Sequence, residues 1–235
     1  MKKRLAFLTI FASITLFLAA CGTSDKETSG SSSAKDTADT FTVGLEAGYA
    51  PFNWTQLDDS NGGVKIDGNA EYAGGYDVEI AKRIADGLGK ELVIVKTEWD
   101  GLVPSLQSDK IDAIIAGMSP TEERKETIDF SENYYTSNFV MVVKKGGAFE
   151  GATSIQDFSG AKITGQLNTS HYGVIDQIKD VQKQPASDNF SAMRVALESG
   201  VIDGYVSERP EGISASSANT NFAMVEFTDG FKAAE

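Results

Sequence analysis

The sequence predicts an α/β protein built from two related lobes, and three observations predict it. Short β-branched runs alternate with amphipathic stretches of helical period, the pattern of parallel βαβ units. The alternation occurs twice, once over 41–116 and again from 161 onward. An eight-residue segment also recurs, since Leu106-Gln107-Ser108-Asp109-Lys110-Ile111-Asp112-Ala113 matches Leu197-Glu198-Ser199-Gly200-Val201-Ile202-Asp203-Gly204 at Leu, Ser, Ile and Asp.

Each element has its own signal. Residues 41–45 read as the first strand. Residues 76–88 read as a helix with Val78, Ala81, Ile84, Ala85 and Leu88 on one face and Gly89 as its stop. A buried strand follows at 92–95, a short helix at 102–108 and a strand at 111–116. Residues 55–75 are polar and rich in Gly and Asp, and read as a surface hairpin or loop. In the second series, 161–164 and 201–206 read as strands, 169–179 and 189–199 as helices, and 222–227 as a closing strand. Ligands of open α/β sheets bind beyond the carboxyl ends of strands, so the segments from Gly117 and Ser207 onward are the ones to inspect.

The formal charge is −13, and no basic stripe provides a footprint for nucleic acid. A single cysteine excludes an intrachain disulfide. A single histidine argues against His-based catalysis and against a multi-His metal site. No phosphate-binding Gly-rich loop, metal-ligand cluster or Ser/His/Asp set is present, so no cofactor is expected.

The N-terminus reads as an export signal. Met1-Lys2-Lys3-Arg4 is a basic n-region, and 5–20 is an uncharged apolar run, short for a membrane span. The run ends Leu18-Ala19-Ala20-Cys21-Gly22, which resembles the lipobox of bacterial lipoproteins. That resemblance implies a signal peptide over 1–20 and a lipid on the Cys21 thiol. Cleavage there removes three positive charges and leaves the exported chain at −16. Residues 22–40 contain no aromatic or branched aliphatic side chain, so 21–40 reads as a disordered tether with a reach of roughly 25 Å.

Two strand ends carry candidate chemistry. Gly117-Met118-Ser119-Pro120-Thr121-Glu122-Glu123-Arg124 reads as a helix start, with Ser119 as N-cap, Pro120 at N1 and Glu122 closing a capping box. Arg124, one turn further on, has the donor fork for a carboxylate, although a solvated arginine reads equally well. The first strand leads into Glu46-Ala47-Gly48-Tyr49-Ala50-Pro51-Phe52-Asn53-Trp54, and Trp99 follows another strand. These aromatics suit a core plug or a ligand wall.

Six motifs occur in an order and spacing that resemble the bacterial polar amino-acid binding proteins of ABC importers. They are Tyr49-Ala50-Pro51-Phe52, Gly75-Tyr76-Asp77-Val78-Glu79-Ile80-Ala81, Ile111-Asp112-Ala113-Ile114, Ser119-Pro120-Thr121-Glu122-Glu123-Arg124, Gln166-Leu167-Asn168-Thr169-Ser170 and Gly200-Val201-Ile202-Asp203-Gly204, with Ile128-Asp129-Phe130-Ser131 in the same order between the fourth and the fifth. The resemblance implies a two-lobed, type II periplasmic-binding-protein-like fold with its cleft between the lobes. Lobe 1 is expected over 41–137 and lobe 2 over 138–226. The start of a return to lobe 1 is expected at 227–235, with a C-terminal part missing.

The resemblance also implies roles. Arg124 clamps the ligand α-carboxylate, and Thr169 and Ser170 hold it from the second lobe. Ser119 and the Gly117 carbonyl receive the α-ammonium, with Met118 lining the same loop. Tyr49, Phe52 and Trp99 sandwich the side chain. Glu208 stands where the family has a shorter Asp facing the ammonium, and Asn168 where glycine is frequent. Glu46 matches a position that is often acidic in relatives binding lysine, arginine or histidine, although a solvated Glu is as good a reading. His171 is expected at a helix start or on the surface.

The expected function follows. The protein captures a polar, basic L-amino acid by hinge closure about 136–138 and 225–228 and delivers it to a permease with its ATPase. It is expected to be a non-enzymatic monomer, lipid-anchored on the extracytoplasmic face of a Gram-positive cell. Cystine or glutamine remains open as ligand. So do a dehydratase-like enzyme using Glu208 or Glu46 as acid, and a surface sensor or adhesin.

Overall fold

The computed structural model describes residues 39–232, and the signal peptide expected over 1–20, Cys21 and most of the tether lie outside them. Three sheets organise these residues. In the first, β1 (Thr40–Leu45) lies between β6 (Glu91–Lys96) and β7 (Ala113–Ile114), parallel to both. Val43 faces Ile94 on one side and Ala113 on the other. Helix α1 (Tyr76–Leu88) buries Val78, Ala81 and Ala85 against this sheet, while Ile84 and Leu88 are exposed. Gly89 closes α1 in the left-handed conformation, as its position predicts. Helix α2 (Leu102–Gln107) follows a single 3-10 turn at Trp99–Gly101.

The excursion at 55–75 belongs to a four-stranded antiparallel sheet. Its order is β2 (Gly48–Tyr49), β3 (Asn53–Gln56), β5 (Tyr72–Gly74) and β4 (Val64–Lys65). Gly75 joins this sheet to α1 at φ 128, with its α-carbon so near the Phe52 carbonyl that a Cβ would sit 2.2 Å from the oxygen. Only glycine fits such an approach.

The second lobe repeats the topology. β9 (Lys162–Thr164) lies between β10 (Gln182–Lys183) and β11 (Gly204–Glu208), again all parallel. This sheet continues with β8 (Phe139–Lys144) antiparallel to β11, then β12 (Phe222–Val225) antiparallel to β8. Among the described residues no strand pairs with the outer edge of β7. The repeated segment is the same device in both lobes. Asp112 Oδ2 accepts the Thr42 amide at 2.7 Å, and Asp203 Oδ2 accepts the Lys162 amide at 2.8 Å. The two aspartate amides return bonds of 2.8 Å to the carbonyls of Thr42 and Lys162.

Several expected elements are shorter or elsewhere. The strand expected at 111–116 pairs only at 113–114, and that at 201–206 begins at Gly204 because 201–203 forms the turn closed by left-handed Gly200. The helix expected at 169–179 is α4 (Ser170–Gly173) followed by a 3-10 turn, Val174–Gln177. Residues 227–232 stay with the second lobe instead of turning back to the first. Phe227 and Phe231 pack into its core, Asp229 accepts from Ser154, and the Lys232 carbonyl accepts from Gln177. Two further helices complete that lobe, α5 (Phe190–Ser199), capped by the Asn189 side chain, and α6 (Arg209–Ala218).

Candidate functional site

The carboxyl ends of β1, β7, β9 and β11 converge, so the loops after them face one another across a cleft. Phe52, Gly117, Met118, Ser119, Ser170 and Glu208 line part of a cavity of about 670 Å³ that continues along the first lobe. A second hollow of about 590 Å³ lies between residues 137–140, where the chain enters the second lobe's sheet, and 226–231.

Arg124 belongs to the short helix α3 (Glu122–Lys125). Its N-cap is Thr121, whose side chain accepts the Arg124 amide at 3.3 Å. The expected cap at Ser119 is therefore corrected by two residues. Ser119 precedes proline, which disfavours helical backbone, and Thr121 is still extended at ψ 154. The Arg124 guanidinium donates to the Ser119 carbonyl and, across the cleft, to the Asn168 carbonyl, both at 2.8 Å. It lies 5.3 Å from the Trp99 ring centre, in cation–π range. Among the described residues it makes no salt bridge. Burial draws its pKa below the ordinary value.

Two carboxylates sit in the cleft, Glu46 buried and Glu208 part-buried. Glu46 follows β1 and accepts from Gln166 Nε2 at 2.9 Å. Burial pushes its pKa up to about 7, the Gln166 bond opposes, and the Glu98 charge adds to the rise. Glu208 ends β11 and accepts from the Tyr49 hydroxyl at 3.2 Å. Burial likewise raises it to about 7, against the Tyr49 bond and with the Asp77 charge.

Sequence reasoning placed His171 at a helix start or on the surface. It lies in α4, but it is buried. Its Nε2 lies 3.8 Å from Glu208, and neither ring nitrogen has a hydrogen-bond partner among the described residues. Phe139 and Phe190 meet the ring edge-on. Burial, then the Arg124 charge, lowers its pKa to about 4, so the ring is neutral at pH 7.

Tyr49 stacks on Phe52 at 5.0 Å and on Phe190 of α5 at 4.6 Å, so its ring is a wedge from the first lobe into the second. Trp99 is buried, and its indole N–H is 3.5 Å from the Asn168 carbonyl. The Thr169 hydroxyl donates back to the Gln166 carbonyl at 2.6 Å, while Ser170 lines the cavity. Gly117 has φ 62, and a Cβ there would press on the Tyr49 ring at 3.2 Å.

A support behind the Gly117 loop was missed by sequence reasoning. Buried Asp77 accepts from Asn53 at 2.7 Å and from the Tyr134 hydroxyl at 2.8 Å. Tyr134 in turn accepts the Gly117 amide at 3.0 Å. Burial raises the Asp77 pKa, and the two donors pull it back. Asp77 sits in the Gly-Tyr-Asp motif, so the motif carried the signal but not the partner.

Comparison with known proteins fits this geometry. Residues 41–184 match the bacterial extracellular solute-binding proteins, family 3. The chain belongs to that family. A Campylobacter jejuni protein named a probable histidine-binding protein is 35% identical over 226 residues, 91% of this chain and 80% of its own. The arginine-binding extracellular protein ArtP of Bacillus subtilis is 33% identical, over 87% of this chain and 76% of its own. Arginine-bound ArgBP from T. maritima superposes with a TM-score of 0.69 at 30% identity, covering 84% of this chain and 85% of that one. This family-3 chain therefore has the two-lobed binding-protein fold, and its relatives are named as binding proteins. Among the described residues no helix is long and apolar enough to cross a membrane, and no cluster of metal-ligating side chains occurs.

Proposed function

We propose that this chain captures a basic L-amino acid, arginine first, with lysine or histidine as near alternatives, and hands it to an ABC permease. The carrying observation is charge. The cleft holds two carboxylates, buried Glu46 and part-buried Glu208, and one part-buried arginine that makes no salt bridge among the described residues. A basic amino acid brings two cations and one carboxylate, the complement of that set. A neutral side chain would leave one buried carboxylate without a cation, which burial penalises. In this reading Arg124 holds the α-carboxylate with Thr169 and Ser170. Glu208, Ser119 and the Gly117 carbonyl take the α-ammonium, and Met118 lines the loop beside them. Tyr49, Phe52 and Trp99 wall the side chain, and Glu46 meets the distal cation.

The arginine- and histidine-binding names of the relatives support basic side chains. Glutamine is the second reading. A Glu46 with pKa about 7 is half protonated at neutral pH and could then donate to a carboxamide. A relative from Bacillus subtilis named for glutamine is 30% identical over 97% of this chain.

The wider proposal keeps lobe 1 over 41–137, lobe 2 over 138–226, a lipid on Cys21 and a tether over 21–40. These hold a monomeric binding protein without catalytic turnover at the outer face of the membrane. Thermal-shift screening against amino acids tests the ligand. A true ligand at about 100 times its dissociation constant adds roughly 2.7 kcal/mol. Success of glutamine or cystine with failure of arginine, lysine and histidine overturns the Glu46 assignment. Arg124→Ala should weaken calorimetric affinity at least about 30-fold, the cost of leaving a buried charge unmatched.

A further inference from the structure

We propose that Asn168 is a clasp between the lobes, acting through direct bonds that need no amino acid, and that it tunes affinity by stabilising every closed form. The inference rests on the cleft reading above. Asn168 lies after β9, at φ 54, a left-handed conformation that Asn tolerates better than most residues. From there it reaches three first-lobe residues. Its carbonyl accepts from Arg124 at 2.8 Å and stands 3.5 Å from the Trp99 indole nitrogen. Its side-chain amide donates to Asp100 Oδ1 at 3.0 Å. Neighbouring Gln166 adds a fourth bond across the cleft, to Glu46.

The hydrogen bond to Asp100 is the part of the clasp that depends on the asparagine side chain. A glycine at 168 would keep the backbone and its carbonyl but would have nothing to offer Asp100. Asp100 is exposed in the 3-10 turn after β6, and the proposed ligand contacts do not include it. The affinity of a two-state binder scales with the population of its competent state, so one hydrogen bond made only on closure moves affinity directly.

The test uses the full chain, with L-arginine in calorimetry and small-angle scattering without added amino acid. Asn168→Gly keeps the backbone, and Asp100→Ala removes the partner from an exposed site, so both should fold. If the lobes stand mostly apart without ligand, each variant weakens affinity roughly threefold to tenfold, the worth of one such bond. If they stand mostly together, each enlarges the radius of gyration instead. The double variant should be no worse than either single. Asn168→Asp sets like charges together and should weaken closure further. Combining it with Asp100→Asn restores the bond with donor and acceptor exchanged, and should restore affinity or radius.

Singles that change neither affinity nor radius overturn the clasp, as do single effects that multiply in the double variant. Absence of arginine binding by the wild type would count against the ligand reading; the clasp is then decided by scattering where the lobes stand together, and otherwise by calorimetry with the amino acid that the thermal screen finds to bind.

Discussion

In the proposed binding reading, Glu46 and Glu208 link capture to protons. Both sit near pKa 7 in the cleft, against ordinary carboxylates near 4.5. A cationic ligand favours their ionised forms, so binding near pH 7 releases protons and affinity falls as pH drops below 7. Calorimetry in buffers of different ionisation enthalpy should show net release, reduced in Glu208→Gln; uptake on binding would contradict the assignment. For folding, both raised carboxylates act in one direction. Between 4.5 and 7 the folded chain holds protons that the unfolded chain has lost, so their contribution to stability falls as pH rises through that window. His171 acts oppositely. Its folded pKa of about 4 lies below the ordinary 6.5, so its contribution is complete above 6.5 and is lost as pH falls toward 4. The stability difference between wild type and His171→Gln in urea should therefore shrink from pH 7.5 to pH 5. A constant difference would mean that the ring titrates normally. None of these shifts was legible in the sequence. Glu46 was legible in the loop after the first strand and Arg124 as a donor fork, while Glu208 came only from the family resemblance. The burial that changes their chemistry comes from residues far along the chain, such as Gln166 for Glu46 and Tyr49 for Glu208.

At the scale of elements, α1 was readable end to end because apolar spacing, acidic first turn and Gly89 stop agree. The internal repeat was also readable, and its physical content is the aspartate at the foot of the third strand in each lobe. Asp112→Ala and Asp203→Ala should each cost about 1 kcal/mol in urea denaturation, since each removes the carboxylate that accepts the Thr42 or Lys162 amide while keeping the backbone return bond. Unequal effects, with one near zero, would show the repeat to be coincidental in energy. Helix α6 was missed because Gly212 and three serines dilute its propensity, and only Pro210 near its start signals a helix. Strand β8 was missed because its run Phe139-Val140-Met141-Val142-Val143 has no alternation. The reason is that its residues 140–143 are all buried, with β11 and β12 paired on either side.

For the whole molecule, Tyr49 and Phe190 join the lobes through a shared core. Phe190→Ala should destabilise the fold by about 3–5 kcal/mol, as for other buried aromatics, and remove the Tyr49 stack. Chemical denaturation checks it, and a loss under about 1 kcal/mol would argue that the wedge is not part of the core. By itself the sequence determined the α/β class, the two related lobes and the family resemblance, because these depend on local period, strand ends and short motifs, and the resemblance supplied the candidate site residues. Only tertiary structure decided that His171 is buried beside Glu208, that Asp77 and Tyr134 support the Gly117 loop, and that Asn168 meets Trp99, Asp100 and Arg124. Those pairings join residues 17 to 69 positions apart or bring a polar ring out of water, and no local spacing encodes either.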